Sequence, residues 1–203
     1  VKSNVCGGAR YLNGAPQQQP PNTVRFVCIS DTHGRHAAIR EMPPGDVLLH
    51  TGDITNCGEL AQIKDFSAWL GTLTQYKHKV VIAGNHDVTL HREYYADPNV
   101  QKRWHRGRPY DADECCAAIK NCTYLLDESC EVEGYTIYGS PWQPEFYDWG
   151  FNLSRGGDCR RVWEKIPDNK VDILLTHGPP IGFGGLYISV CSVFLFNFIL
   201  VTN

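Results

Sequence analysis

Four short apolar runs recur along the chain, and each ends in a group of polar residues that includes glycine. The continuous hydrophobicity of such runs is typical of strands that are covered on both faces of a sheet. The pattern therefore predicts four buried strands, each of which presents polar side chains from a loop at the edge of the sheet. The runs are 24–30, 46–51, 79–83 and 171–176.

Between the second and third runs the apolar residues follow a helical period. From Glu59 onward they recur at intervals of three and four residues, which predicts a helix with one apolar face. These residues are Leu60, Ile63, Phe66, Trp69, Leu70 and Leu73. Because the first three strands alternate with loop or helix, we expect βαβ organisation with parallel strands.

The middle of the chain gives weaker signals. Segments 122–126 and 135–138 are predicted to be strands around the turn Glu133-Gly134, which implies a second sheet that contains a hairpin. Asp111 or Asp113 is expected to cap a short helix that runs through Ile119. Residues 160–165 are also predicted to be helical. Segment 91–110 has no clear pattern, and its two histidines, His91 and His105, are predicted to be solvated.

Composition places the chain among soluble globular proteins with one large domain. The 203 residues can form a substantial core, and the net charge of -3 comes without a dominant Lys/Arg cluster, so the sequence shows no nucleic-acid signal. The nine cysteines follow neither a zinc nor a redox spacing. Free thiols in a reducing compartment are the simplest interpretation, and they predict a cytoplasmic location.

The two ends of the chain differ from its centre. Residues 1–22 are rich in turn and linker residues and are predicted to be flexible, and residues 23–185 form the predicted domain. Residues 186–203 are apolar and have three interpretations. A membrane anchor is disfavoured because the run is short and contains Ser and Asn. A substitute core strand or helix is possible, but the favoured hypothesis is the divergent tail of a truncated or alternatively spliced product.

The side chains at the strand ends are of types that bind metal. Taken alone, Gly84-Asn85-His86-Asp87 is equally well explained as an ordinary turn with a surface histidine. However, carboxyl ends of strands in an open α/β sheet share one edge, and all four strands deliver such residues there. Carboxylate, imidazole and amide groups suit manganese, iron or zinc, and one carboxylate can bridge two ions. The candidates are Asp31, His33, Asp53, Asn85, His86 and His177.

Two of these candidates are close together along the chain. Asp31 and His33 are two residues apart, so in extended backbone both side chains are expected to point to the same side and bind one ion. Further along, the loop after Gly139 is rich in aromatic residues, which could form a pocket wall that stacks on a substrate ring. Ordinary packing is the commoner role for such a cluster and is favoured for its members, Trp142, Phe146, Tyr147, Trp149 and Phe151.

The motifs Asp31-x-His33, Gly52-Asp53, Gly84-Asn85-His86-Asp87 and Thr176-His177-Gly178 closely resemble those of the calcineurin-like metallophosphoesterases. Segments 81–87 and 139–144 resemble the metallophosphoesterase domain-containing subgroup, which is related to class III cyclic-nucleotide phosphodiesterases. The resemblance implies an α/β (α+β) fold, an αββα sandwich of two mixed β-sheets flanked by helices, here incomplete at the C-terminus.

The resemblance also implies a role for each matched residue. Two divalent metal ions (Mn, Fe or Zn) would be held, the first by Asp31 and His33 and the second by Asn85 and His177, with Asp53 bridging them. His86 would be catalytic, either stabilising the phosphoryl oxygens or protonating the leaving alkoxide, and Asp87 would orient it. The substrate would be a small-molecule phosphodiester or nucleotide, bound by Asn85, His86 and Trp142.

The resemblance stops at His177. The family pattern requires a later Gly-His-x-His motif, and no histidine follows His177 in this chain. Each ion would then lack one protein ligand, which predicts weaker metal binding and reduced hydrolysis of phosphodiesters or cyclic nucleotides. Two alternatives remain open, namely a non-catalytic module that binds nucleotide or phosphate, and a non-functional truncated product.

Overall fold

The computed structural model describes residues 18–19, 21–168 and 170–178, together with the backbone of 199–201. The described strands are β1 (Phe26–Ile29), β2 (Val47–His50), β3 (His78–Val81), β4 (Thr123–Tyr124), β5 (Glu128–Val132), β6 (Tyr135–Ser140), β7 (Gln143–Pro144), β8 (Asn152–Leu153), β9 (Ile173–Thr176) and β10 (Ile199–Val201). The described helices are α1 (Leu60–Thr72), α2 (Arg92–Tyr95), α3 (Pro98–His105), α4 (Ala112–Ala117) and α5 (Gly157–Trp163). Short 3-10 turns lie at His36–Ala38 and Val88–Leu90.

The first sheet has the order β1-β2-β3-β4, and all its pairs are parallel. This confirms the predicted parallel βαβ organisation, with α1 as the crossover between β2 and β3. The placement of segment 122–126 was wrong. Its strand, β4, joins the first sheet beside β3 rather than the hairpin-bearing sheet. Thr123 pairs with Val80, so this segment extends the parallel sheet at its edge.

The second sheet has the order β10-β9-β6-β5 and is mixed. It contains the predicted hairpin at Glu133-Gly134, whose first strand is β5 rather than segment 122–126. Strand β9 pairs parallel with β6, and the backbone of β10 pairs antiparallel with β9. Of the predicted tail 186–203, only these three backbone positions are described, and the remainder lies outside the described residues, as does most of the predicted flexible segment 1–22.

The two sheets pack face to face through fully buried aliphatic side chains. Leu49 and Val80 of the first sheet share one cluster with Ile137 and Leu175 of the second. The opposite face of the first sheet carries Leu48 and Val81, which pack in a second cluster with the apolar face of α1. Burial of each such side chain is worth about 1.5–3 kcal/mol. The two-sheet α/β arrangement flanked by helices is therefore confirmed, with one parallel and one mixed sheet.

The helices confirm the clearest patterns and fill the unassigned segment. Asp111 caps α4 by accepting from the backbone N–H groups of Asp113 and Glu114, which decides between the two predicted caps. Segment 91–110 forms α2 and α3, and its two histidines are partly buried rather than solvated. Helix α5 begins three residues earlier than predicted. No helix in the part of the chain described here has the length and apolar character needed to cross a membrane.

Candidate metal centre

The predicted ligands come together at the carboxyl edge of the first sheet. Two groups of three potential metal ligands form there, and both include Asp53. Within each group the ligand atoms lie within 4.8 Å of one another. Strands β1, β2 and β3 supply the residues that follow them, whereas His177 follows β9 and arrives from the second sheet. The groups are Asp31, Asp53 and His177, and His33, Asp53 and His86.

The backbone at this edge is bent into a conformation that is uncommon outside glycine. Asp31, His33 and Asp53 have φ angles of 53°, 43° and 56°, in the left-handed region where non-glycine residues are few and which recurs at functional sites. The loop is held in this form because the N–H groups of Asp31 and His33 donate to the carbonyls of Gly52 and Asp53, at 2.9 and 3.0 Å. The prediction that extended backbone places the two side chains on one side was therefore wrong. Oδ1 of Asp31 and Nε2 of His33 nevertheless lie 4.0 Å apart.

The carboxylate of Asp53 lies between two imidazoles. Its Oδ2 is 3.6 Å from Nε2 of His33, and its Oδ1 is 3.3 Å from Nε2 of His177. Oδ1 also accepts a hydrogen bond of 2.9 Å from the backbone N–H of His86. Only 3 % of the residue is exposed. One oxygen thus faces each ligand group, which is the arrangement that a bridging carboxylate requires.

The loop after β2 fixes all three imidazoles in the same way. Each histidine places Nδ1 against a backbone carbonyl of segment 51–56, at 3.1 Å for His33, 2.7 Å for His86 and 2.8 Å for His177. Because a carbonyl only accepts, Nδ1 carries a proton in each ring, and Nε2 is the nitrogen that faces the site. Histidines that bind metal are held in this manner, so these side chains fit a metal centre.

Asn85 faces His177 across the site. Its Oδ1 lies 3.0 Å from Nε2 of His177, and the side chain of each residue is almost fully buried. Nε2–H of His177 donates to the amide oxygen, and the two atoms are as close as two ligands of one ion would be. This geometry supports the predicted pairing of Asn85 with His177, which stays a prediction.

Asp87 is fully buried and braces the loops beneath the site. Its carboxylate accepts from the backbone N–H groups of Ile54, Thr55 and Gly84, at 3.1, 2.9 and 2.9 Å, and from the Thr55 hydroxyl at 2.8 Å. The ring of His86 is instead held by the carbonyl of Asn56. The contacts of the Asp87 carboxylate thus hold the loops rather than the His86 ring, and its predicted catalytic role stays a prediction.

The tryptophan that contacts the site is Trp149. Trp142, the predicted substrate ligand, donates its indole N–H to Asp127 at 2.8 Å and packs edge-on against His91. Trp149 stacks on the ring of His86 with centroids 3.8 Å apart. The sequence placed both residues in one aromatic loop, and nothing in its spacing distinguished the ring that reaches the site from the ring that packs behind it.

The carboxylate of Asp53 and the imidazole of His177 shift each other's pKa. Burial lowers the pKa of His177, but the Asp53 carboxylate, together with Asp31 and the carbonyl of Thr51, raises it to about 10. Burial raises the pKa of Asp53, but His177, together with His86 and His33, lowers it to about 2. The ion pair between Asp53 and His177 contributes to both pKa shifts. A metal ion that binds here must displace the proton from His177.

This ion pair predicts how stability depends on pH in chelator-treated protein. A histidine pKa raised above its ordinary 6.5 stabilises the fold fully below pH 6.5, and that stability is lost as pH rises through about 10. We expect the free energy of unfolding in urea to fall across this range, and to fall less in His177→Gln. His78→Gln, at a partly exposed position outside the two ligand groups, is the control for loss of an imidazole. Equal slopes in all three proteins would contradict the ion pair.

Comparison with known proteins identifies relatives of this chain. The family model described as calcineurin-like phosphoesterase matches residues 24–197. The chain is 48% identical over 174 residues to the human protein named metallophosphoesterase domain-containing protein 1, covering 81% of this chain and 51% of that relative. The mouse protein of the same name matches equally well. The Caenorhabditis elegans UPF0046 protein T07D4.2 is 42% identical over 177 residues, covering 82% of this chain and 44% of the relative. The chain spans about half the length of these relatives.

Proposed function

The chain belongs to the calcineurin-like phosphoesterase family, and we propose that it hydrolyses phosphodiesters or cyclic nucleotides with the help of two divalent metal ions. The ions would be manganese, iron or zinc, held by Asp31, His33, Asn85 and His177, with Asp53 shared between them. The observation that carries this proposal is the position of Asp53, whose two oxygens face one histidine each.

The chemistry that such ions supply when bound is Lewis-acid stabilisation of phosphoryl oxygens and a lowered pKa for a coordinated water. The proton donor to the leaving group would be His86. Its Nδ1–H is donated to the carbonyl of Asn56, so in the doubly protonated ring Nε2 is the atom that would give a proton to the departing alkoxide. Burial lowers the pKa of His86, which favours release of this proton. Trp142 stays a predicted substrate ligand, although its indole N–H donates a hydrogen bond to the carboxylate of Asp127.

The test of the proposed function is hydrolysis of bis(p-nitrophenyl) phosphate and cyclic AMP by the purified chain with added manganese. We expect turnover that depends on the metal and is abolished by chelation. Wild-type protein that binds manganese but hydrolyses neither ester would contradict the proposal.

His86→Ala tests the proton donor. Removal of a positioned general acid costs about 10²- to 10⁴-fold in rate, so we expect a loss of this size in kcat for cyclic AMP, whose leaving group is an alkoxide. The matched control is His78→Ala, since His78 begins the strand that His86 follows and forms a half-exposed pair with Glu133. Full activity in His86→Ala would contradict the assigned role.

We further propose that this chain binds the ions weakly and turns over slowly, since no histidine follows His177. The same observation favours a second candidate, a non-catalytic module that binds nucleotide or phosphate. Calorimetry distinguishes the two. Nucleotide binding with fewer than two ions per chain and no product formed supports the module, whereas two bound ions and product support the enzyme.

We also propose a cytoplasmic location. The support is that the seven cysteines in the described part of the chain are free thiols, as in proteins of reducing compartments.

A further inference from the structure

The ring of His86 is part of a stack of aromatic side chains. Trp149 lies on one side of the imidazole, with centroids 3.8 Å apart and planes inclined by 24°. Trp104 stacks on Trp149 at 4.0 Å and 29°. His33 approaches the imidazole edge to face at 4.5 Å. Contacts on these two sides, together with the hydrogen bond from Nδ1 to Asn56, restrict rotation of the imidazole.

The loop that carries Trp149 is bound to the site and to the helices beside it. The N–H of Gly150 donates to the carbonyl of Asn85 at 3.1 Å, so the loop is joined to the residue that precedes His86. The N–H of Phe151 donates to Nδ1 of His91 at 2.9 Å. Strands β7 and β8 pair at the two ends of the loop and close it. The loop therefore has little freedom to move relative to Asn85 and His86.

Residues of helices α2 and α3 also bind the loop that carries Trp149. The hydroxyl of Tyr94 donates to the carbonyl of Asp148 at 2.8 Å, and the indole N–H of Trp104 donates to the Tyr94 hydroxyl at 3.0 Å. Arg103 forms an ion pair with the Asp148 carboxylate. Because Trp104 is itself hydrogen-bonded, the position of Trp149 is set by a chain of contacts that starts outside the site.

The stack also shows what Trp149 does not do. A tryptophan that binds a nucleotide base needs an open ring face. One face of Trp149 is covered by His86 and the other by Trp104, so a base could stack here only by displacing one of them. The ring of Trp149 packs against the imidazole of His86 instead.

We propose that Trp149 is a positioning residue that holds the imidazole of His86 in the orientation from which Nε2 can protonate the leaving group. This inference rests on the proposed function. In hydrolysis the oxygen of a water molecule forms a bond to phosphorus while the bond between phosphorus and the leaving oxygen breaks. The electron pair of the broken bond stays on the leaving oxygen, which takes the proton from Nε2 of the doubly protonated His86 ring. His86 is left neutral with its Nδ1–H still donated to Asn56, and the proton that the attacking water loses balances the one that His86 gave.

The kinetic test compares Trp149→Ala and Trp149→Phe on two esters in manganese-loaded protein. Nitrophenolate leaves without a proton, whereas the alkoxide of cyclic AMP needs one. Misplacement of a catalytic group can cost as much as about 100-fold, so we expect Trp149→Ala to lose about 10- to 100-fold in kcat on cyclic AMP. The loss on bis(p-nitrophenyl) phosphate should be much smaller, and KM and metal content should be unchanged. Trp149→Phe should retain most activity, since it keeps a stacking ring.

A double-mutant cycle then asks whether Trp149 acts through His86. In a His86→Ala background, Trp149→Ala should cause no further loss on cyclic AMP. Trp163→Ala, which removes an exposed tryptophan from α5, is the matched control and should behave as wild type in either background. Equal losses on the two esters, or an undiminished effect of Trp149→Ala without His86, would overturn the proposal.

A proton NMR measurement separates this inference from the proposed function. Ring protons of His86 above an indole face are shifted upfield, so we expect their signals to move downfield in Trp149→Ala and to stay near their wild-type positions in Trp149→Phe. If wild-type protein hydrolyses no ester but shows these shifts, the positioning stands and the phosphoesterase function fails. Signals of His86 that are identical in wild type and Trp149→Ala overturn the positioning itself.

Discussion

Asp53→Asn is expected to abolish metal-dependent hydrolysis, with a loss of roughly 10⁴-fold or more. Several kcal/mol of transition-state stabilisation come from ions held at such a site, and each 1.4 kcal/mol is a factor of ten. Asp53 is the residue common to both ligand groups, so in the proposed site its charge would act on both ions. Asparagine keeps the size of the side chain and an oxygen that can accept from the N–H of His86. The change therefore removes charge with little loss of packing.

The readouts are turnover and the number of ions bound at equilibrium, measured by titration calorimetry. We expect two ions per wild-type chain at saturating metal and at most one in Asp53→Asn. The matched control is Asp113→Asn, an equivalent change at a carboxylate that is 81% exposed and paired with Arg92 at the surface. An exposed pair of this kind contributes little, so the control should resemble wild type. Two ions and half the wild-type turnover in Asp53→Asn would rule out a bridging role.

Gly84→Ala is expected to damage both the fold and the site, because there is no space for a side chain at this position. A Cβ on Gly84 would overlap the backbone N and Oδ1 of Asp53 and would lie 2.7 Å from Cε1 of His177. Forcing atoms into a packed region costs about 1–3 kcal/mol. In a domain of this size that corresponds to a melting temperature lower by roughly 2–12 °C. Displacement of the Asp53 carboxylate should also weaken metal binding.

The control for this change is Gly157→Ala. The nearest atom to a Cβ on Gly157 is Nη1 of Arg161, at 4.0 Å, and Gly157 begins a helix, so alanine should be neutral or slightly stabilising. Thermal unfolding followed by circular dichroism, in the presence of chelator, separates the packing effect from the loss of metal. A melting temperature of Gly84→Ala equal to that of wild type would show that the site can move to accept a methyl group.

The role of Gly84 shows where sequence reasoning was right for an incomplete reason. A glycine directly after a buried strand suggested a tight turn. The structure shows that the glycine is needed because the Asp53 carboxylate and the His177 ring come from distant parts of the chain to occupy the space beside it. That requirement is not visible in the local pattern, since it depends on residues 31 and 93 positions away.

The sequence by itself determined the four strands of the apolar runs, the parallel arrangement of the first three and the residues that gather at their carboxyl ends. Apolar runs bury themselves whatever their neighbours are, and parallel strands place their carboxyl ends together, so Asp31, Asp53 and Asn85 could be assigned to one edge. Segment 122–126 was misplaced because its two paired residues carry too little pattern to choose between two sheets.

Only the tertiary structure decided how the site is held. The left-handed backbone at Asp31, His33 and Asp53 depends on hydrogen bonds between two loops. The position of the Nδ1 proton in the three histidines depends on backbone carbonyls of the second of these loops, 51–56. Which tryptophan reaches His86 depends on helices α2 and α3, which showed no clear period. The physical reason is the same in each case. The local hydrophobic pattern indicates which residues are buried. Hydrogen bonds and ring stacks between distant segments determine the orientation of the polar side chains at the site.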